Sequence, residues 1–249
     1  MRLVLMAAVL AAATAFASAA DTTTTAKARH AATAKKKKKA GKPDHWHQRV
    51  KDIRAELKAL PPETSNTIVM VGDSITEGFK RANDIHELNG HTVINEGISG
   101  DQVDRPSSGT GVTFRVPLIA KAKPEVVFVQ IGINDFWGGK EEVPDVAQQY
   151  EKMLKMMRSA MPNTRIVVVS LFPTAKKNAY LNPKVNEFNK LLPGMAKSIN
   201  ADYLDLHSRL TDAKGELKDE YTVDGVHFKP PAYTVWIDAM KQETANLAK

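Results

Sequence analysis

An α/β fold, with helices covering both faces of a central parallel sheet, is predicted by three observations on this chain of 249 residues. Short, nearly continuous apolar runs at 67–71, 92–94, 126–131, 165–170 and 202–205 alternate with helix-compatible segments at 75–88, 145–161, 182–199 and 231–247. Such runs leave neither face polar, as expected of strands buried on both sides. Ser74, Gly100 and Asn134 each follow one of these strands, and in open α/β sheets the ligand site lies beyond the carboxyl ends of the strands.

From the start of the chain, Arg2 precedes an Ala-rich apolar stretch from Leu3 to Phe16, and Ala17-Ser18-Ala19-Ala20 offers small-residue cleavage sites. Residues 1–20 therefore read as a signal peptide, cleaved near 19–20, which implies a periplasmic or secreted protein. Residues 21–43 are rich in Thr, Ala and Lys without apolar periodicity and read as a disordered linker. They include the run from Lys35 to Lys39, which fits a solvated tether or weak, salt-sensitive contact with anionic surfaces. A single domain is expected over 44–249. It opens with an amphipathic helix marked by Trp46, Val50, Ile53, Leu57 and Leu60 and stopped by Pro61-Pro62.

Charge follows the same division. Residues 1–43 hold nine of the 35 basic and one of the 28 acidic side chains, leaving 26 against 27 in the domain. A nucleic-acid-binding domain would carry its basic stripe on the fold, so that class is excluded. The absence of cysteine excludes disulfides, thiolate metal sites and a cysteine nucleophile.

Within the domain, Ser74 stands on the turn Gly72-Asp73-Ser74-Ile75 directly after the first strand, a position from which α/β folds present a nucleophile. Gly132-Ile133-Asn134-Asp135 closes the apolar run 126–131, and Asp224-Gly225-Val226-His227 brings an acid and an imidazole three residues apart. Serine, histidine and aspartate at element ends are the parts of an acyl-transfer site.

These blocks, with Asn95-Glu96-Gly97-Ile98-Ser99-Gly100-Asp101 between the first two and Tyr233 and Trp236 after the last, resemble the SGNH subgroup of the GDSL esterases and lipases. The likeness covers roughly 65 to 245 and extends to members akin to platelet-activating-factor acetylhydrolases; Ile75 replaces the leucine of the family name. It implies a flavodoxin-like three-layer α/β/α sandwich. It also implies a nucleophile at Ser74, a base at His227, an orienting acid at Asp224, and an oxyanion hole from the N–H groups of Ser74 and Gly100 and the amide of Asn134. Asp73 and Asp135, in the same blocks, look structural. Against the family pattern, residues 101–113 contain Pro106 and Ser107-Ser108-Gly109-Thr110-Gly111 and read as an inserted loop near the mouth of the site. Phe136 and Trp137 are candidate walls of an acyl pocket.

No metal or other cofactor is expected, because His45, His47, His86, His91 and His207 do not share a ligand-like spacing. The glycine-rich piece lacks the lysine and the context of a phosphate-binding loop. The implied function is an exported esterase for short acyl groups, with O-acetyl esters on carbohydrates preferred. A lysophospholipase, a thioesterase or a non-catalytic surface-binding protein are the alternatives. The oligomeric state is left open by the sequence.

Overall fold

The computed structural model describes residues 44–61, 66–79, 85–139 and 141–245. The expected signal peptide, linker and lysine run lie outside the described residues.

Among the described residues the sheet has six strands: β1 (Thr67–Gly72), β2 (Glu87–Leu88), β3 (His91–Gly97), β4 (Val126–Gln130), β5 (Arg165–Val169) and β6 (Asp202–Leu204), in the order β2-β3-β1-β4-β5-β6. All neighbours run parallel except β2, which is antiparallel to β3. The α-helices lying wholly within the described residues are α1 (His45–Ala59), α2 (Ser74–Glu77), α3 (Val112–Lys121), α4 (Val143–Ala160), α5 (Asn182–Ser198), α6 (His207–Leu210) and α7 (Pro230–Thr244).

Alternate residues of each central strand enter two separate cores, one on either face. Val69, Val71, Val127, Val129, Ile166 and Val168 meet α3, α4 and α5 through Val116, Tyr150, Met153 and Phe188. Ile68, Met70, Val126, Phe128, Val167 and Val169 meet the other layer through Ile75, Phe79, Tyr233, Trp236 and Met240. This double burial explains why the strands read as unbroken apolar runs. Trp236 is the centre of the second core, with ring centroids 4.8 Å from Phe79 and 4.9 Å from Phe172. Outside both layers, α1 packs Val50 and Ile53 on Ile98 and Leu118.

Two elements depart from the sequence expectation. The helix expected over 75–88 does not reach 88: Ser74–Glu77 forms one short helix, and Glu87–Leu88 is an edge strand. Asn89 and Gly90, both at positive φ (49° and 78°), turn that strand into β3, pairing Leu88 with His91. Asn-Gly is the dipeptide suited to a two-residue hairpin turn, because both central residues must adopt positive φ. The second departure is α3, which begins inside the stretch expected to be loop. Val112, Val116 and Ile119 give it a buried stripe, although Pro117 within it removes one backbone donor. The loop proper therefore ends at Gly111.

The chain enters the sheet at β1, runs to β3 on one side and crosses to β4 on the other. The carboxyl ends of these three adjacent strands thus open on a single edge, where strand order reverses.

Trp236→Ala is expected to lower the unfolding free energy by about 3–5 kcal/mol, the range for truncating a fully buried aromatic. Urea denaturation followed by circular dichroism measures it, and a loss below about 1 kcal/mol would contradict the central place given to this ring.

Candidate active site

Ser74 begins α2 directly after β1, with Asp73 as the N-cap: Asp73 Oδ1 accepts from the Ile75 N–H at 2.9 Å. The turn thereby lifts the Ser74 hydroxyl above the sheet edge. Tyr233 secures α2 from below, its hydroxyl donating to the Ile75 carbonyl at 2.8 Å.

His227 Nε2 lies 3.0 Å from Ser74 Oγ, and His227 Nδ1 lies 2.6 Å from Asp224 Oδ2. Both groups come from one loop, and that loop is heavily bonded. Asp224 Oδ1 accepts from the N–H groups of Val226 (2.9 Å) and His227 (2.8 Å). Thr222 Oγ1 donates to the His227 carbonyl at 2.8 Å and accepts from the Gly225 N–H at 2.9 Å. Asn178 Nδ2 donates to the Asp224 carbonyl at 2.9 Å. Gly225 is required twice over: its φ is 89°, and a Cβ would stand 2.1 Å from the Ala175 carbonyl oxygen. The loop and the segment at Ala175 are joined there, the Ala175 N–H donating to the Gly225 carbonyl at 2.8 Å.

Partial burial pushes the Asp224 carboxyl upward, but the His227 ring and the two loop amides outweigh it and hold the pKa at about 2. An ionised carboxylate only accepts hydrogen bonds. Nδ1 of His227 must therefore carry the proton, which leaves Nε2 to accept from Ser74.

Gly100 and Asn134 face this hydroxyl across an open cleft of about 580 Å³, lined also by Ser99, Ile133, Trp137 and Val226. A Cβ at Gly100 would meet nothing within 4 Å, so the space beside it is open. Asn134 Nδ2 donates to the Asp101 carbonyl at 2.9 Å, and the Gln102 amide donates to the Asn134 carbonyl at 2.9 Å. An amide nitrogen has two protons, so one fixes the side chain and the other is left for the cleft. Asp135 Oδ1, beside it, accepts from the Val103 N–H at 3.2 Å.

Beneath Gly100 is a set of residues that sequence reasoning missed. Asp101 is buried; its Oδ2 accepts from Arg115 Nη2 at 2.7 Å and Nε at 3.1 Å, and its Oδ1 from Trp46 Nε1 at 2.9 Å. Arg115 also donates to the Glu96 carbonyl at 2.9 Å. On the other flank, Glu77 accepts from the Ser99 N–H at 2.6 Å and hydroxyl at 2.5 Å, and lies 3.1 Å from His45. Arg49 donates to the Asn95 carbonyl at 2.6 Å. The first helix thus clamps the loop that carries Gly100 through His45, Trp46 and Arg49. The signal was present in the polar residues of α1, which its apolar stripe drew attention away from.

Phe136 is corrected: it is fully buried, stacks edge-on against Phe188 at 5.5 Å and does not line the cleft. Trp137, next in sequence, does line it and is 44% exposed. The turn after β4, which enters a short 3-10 helix at Trp137–Gly139, sends one ring into the core and the other to the surface. Among the described residues no group of three or more His, Asp or Glu side chains could hold a metal ion.

The model of the GDSL-like Lipase/Acylhydrolase family matches residues 70–235. Among curated proteins, platelet-activating factor acetylhydrolase IB subunit alpha2 of Rattus norvegicus is 24% identical over 194 residues, covering 76% of this chain and 79% of its own. Among solved structures, a GDSL-like lipase from Bacteroides thetaiotaomicron superposes with a TM-score of 0.67 at 21% identity, covering 80% of this chain and 98% of that one. A carbohydrate acetylesterase from Sinorhizobium meliloti superposes with a TM-score of 0.56 at 17% identity, covering 74% and 99%. These likenesses show a shared fold.

Two outcomes test this geometry. Asp101→Asn breaks a buried ion pair from one side and is expected to destabilise by about 3–5 kcal/mol; a change under about 1 kcal/mol in denaturant unfolding would contradict its role. Burial raises the Asp73 pKa from 3.8 to about 7, against the opposing Ile75 N–H. Between those two values the folded state keeps a proton that the unfolded state has lost, so stability falls as pH rises and levels off above about 7. The stability of Asp73→Asn relative to wild type should therefore increase across that window, whereas a constant difference contradicts the shift.

Proposed function

The chain belongs to the GDSL-like lipase/acylhydrolase family, and from that premise we propose that it is an exported serine esterase for short acyl esters, O-acetyl groups on carbohydrates in particular. The observation that carries this is the unbroken line from Ser74 Oγ through both His227 nitrogens to Asp224, with steps of 3.0 and 2.6 Å.

Ser74 Oγ attacks the ester carbonyl carbon while its proton passes to His227 Nε2. The carbonyl oxygen becomes an oxyanion, received by the N–H groups of Ser74 and Gly100 and by the second amide proton of Asn134. The bond to the leaving oxygen then breaks, and His227 returns the proton to the departing alcohol. Water repeats the sequence on the acyl-serine: its proton goes to Nε2, the acid is released, and Ser74 Oγ recovers a proton. Asp224 stays ionised throughout and stabilises the imidazolium.

The shape of the cleft supports a short acyl group. The His227 and Asp224 side chains are about half exposed, at 52% and 47%. Ile133, Trp137 and Val226 are the apolar members of the lining, and two of them are nearly buried. That is little apolar wall for a long chain, which needs a deep enclosed slot. The carbohydrate preference draws support from the likeness to an acetylesterase that acts on carbohydrates. Export rests on residues 1–20, and the basic run at 35–39 would act as a solvated tether.

Hydrolysis of p-nitrophenyl esters tests the proposal. Ser74→Ala should lower kcat by a factor on the order of 10⁴ or more, and Asn134→Ala by about 10²–10³. The acetyl ester should be turned over fastest in a chain-length series. An optimum at eight or more acyl carbons would replace the acetylesterase with a lysophospholipase or thioesterase. Ester cleavage unaffected by Ser74→Ala would remove the serine mechanism.

A further inference from the structure

We propose that Glu77 is a positioning residue of the oxyanion hole: its carboxylate ties the helix that begins at Ser74 to the turn that carries Gly100, and so fixes the spacing of the two backbone N–H donors. This assignment rests on the esterase reading above.

The Gly100 N–H belongs to the peptide between Ser99 and Gly100, which is the middle peptide of a tight turn. The Asp101 N–H donates to the Ile98 carbonyl at 3.0 Å, and Gly100, third in the turn, has φ 76°, while Ser99 is not among the residues at positive φ. That combination is a type II turn. Turning its middle peptide over by about 180° gives a type I turn and aims the same N–H to the opposite side. Glycine accepts either sign of φ, so Gly100 does not make the choice itself.

Glu77 holds the residue from which that peptide swings. Its Oε2 accepts from the Ser99 N–H at 2.6 Å and from the Ser99 hydroxyl at 2.5 Å. Two bonds from one residue fix its N–Cα–Cβ frame, and Ser99 itself lines the catalytic cleft. Partial burial pushes the Glu77 carboxyl upward, but the Ser99 hydroxyl and N–H and the His45 ring outweigh it and hold it below its ordinary value. An ionised carboxylate only accepts, so both Ser99 donors can stay committed to it.

The other end of the tie is fixed as well. Ser74 and Glu77 are the first and last residues of α2, one turn whose return is closed by the Gly78 N–H donating to the Ser74 carbonyl at 2.9 Å. That turn lies on the end of β3: a Cβ at Gly97 would stand 2.2 Å from the Glu77 nitrogen, and Asn95 Nδ2 donates to the Thr76 carbonyl at 2.8 Å. From α1, His45 Nε2 reaches the same Oε2 at 3.1 Å. A single carboxylate oxygen thus joins the element of one oxyanion donor to the turn of the other. Displacing a catalytic group by about 1 Å costs on the order of 10² in rate. A donor aimed at charge that develops only in the transition state affects kcat and not ground-state binding.

The test follows p-nitrophenyl acetate hydrolysis and inactivation by a p-nitrophenyl alkylphosphonate in the full chain and in Glu77→Ala, Glu77→Gln and Ser99→Ala, with folding checked by circular dichroism. Glu77→Ala should lower kcat by about 10- to 100-fold, keep KM within about twofold and slow phosphonate inactivation by a similar factor to kcat. Glu77→Gln keeps an acceptor oxygen in the same place and should restore most of that loss. Ser99→Ala removes one of the two bonds and should lower kcat by about three- to tenfold; it decides alone if Glu77→Ala does not fold. Unchanged kcat in Glu77→Ala and Ser99→Ala, with Ser74→Ala inactive, overturns the positioning role and leaves the esterase reading intact. A raised KM at unchanged kcat also overturns it, because the lost contact would then be one made to the bound substrate. A loss that Glu77→Gln does not reduce overturns it too, and a wild type that cleaves no ester removes both readings.

Discussion

The buried carboxylate of Asp101 is the constraint on which the site depends. Its two oxygens join α1 to α3 through Trp46 and Arg115, and its backbone carbonyl fixes the amide of Asn134. Its N–H donates to the Ile98 carbonyl at 3.0 Å, closing the turn that presents Gly100. One residue therefore sets the spacing between Gly100 after β3 and Asn134 after β4. Burial raises the pKa of this carboxylate while the Arg115 guanidinium pulls it back. Such a pair adds little net stability compared with apolar packing, and what it supplies is a single defined geometry. A site of this kind works only if its donors are already in place when charge develops.

The opposite wall is built on a different principle. His227 and Asp224 are half exposed and gain nothing from burial, so their placement comes from backbone hydrogen bonds within one tight loop. Gly225 lets that loop approach the segment at Ala175 closely enough to be joined to it. The rigid half of the site is thus rooted in buried charge and the exposed half in a closed loop. The hydroxyl of Ser74 stands between them at the sheet edge.

Much of this was legible in the sequence because the relevant patterns are local. Strand runs buried on both faces, the Gly-Asp-Ser turn and the Asp-x-x-His loop each occupy a few consecutive residues, and the structure brings Ser74, His227, Asp224, Gly100 and Asn134 to one cleft. What could not be read depends on contacts between distant residues. Trp46 meets Asp101 across 55 positions, and nothing local marks either as the other's partner. Phe136 and Trp137 are adjacent and chemically alike, and only the direction of the chain leaving β4 separates the core ring from the surface ring. The β2 hairpin and α3 are another matter: Asn89-Gly90 and the stripe of Val112, Val116 and Ile119 were visible, but the weight of a longer helix and of a glycine-rich loop concealed them.

The most direct test is a crystal structure of the protein after reaction with a p-nitrophenyl alkylphosphonate, whose tetrahedral phosphorus mimics the charged intermediate. The adduct should be bonded to Ser74 Oγ, with one phosphonyl oxygen about 2.7–3.1 Å from the Gly100 N–H nitrogen and from Asn134 Nδ2, and with the Asn134 bond to the Asp101 carbonyl intact. An adduct on another residue, or a phosphonyl oxygen turned away from Gly100 and Asn134, would contradict the account.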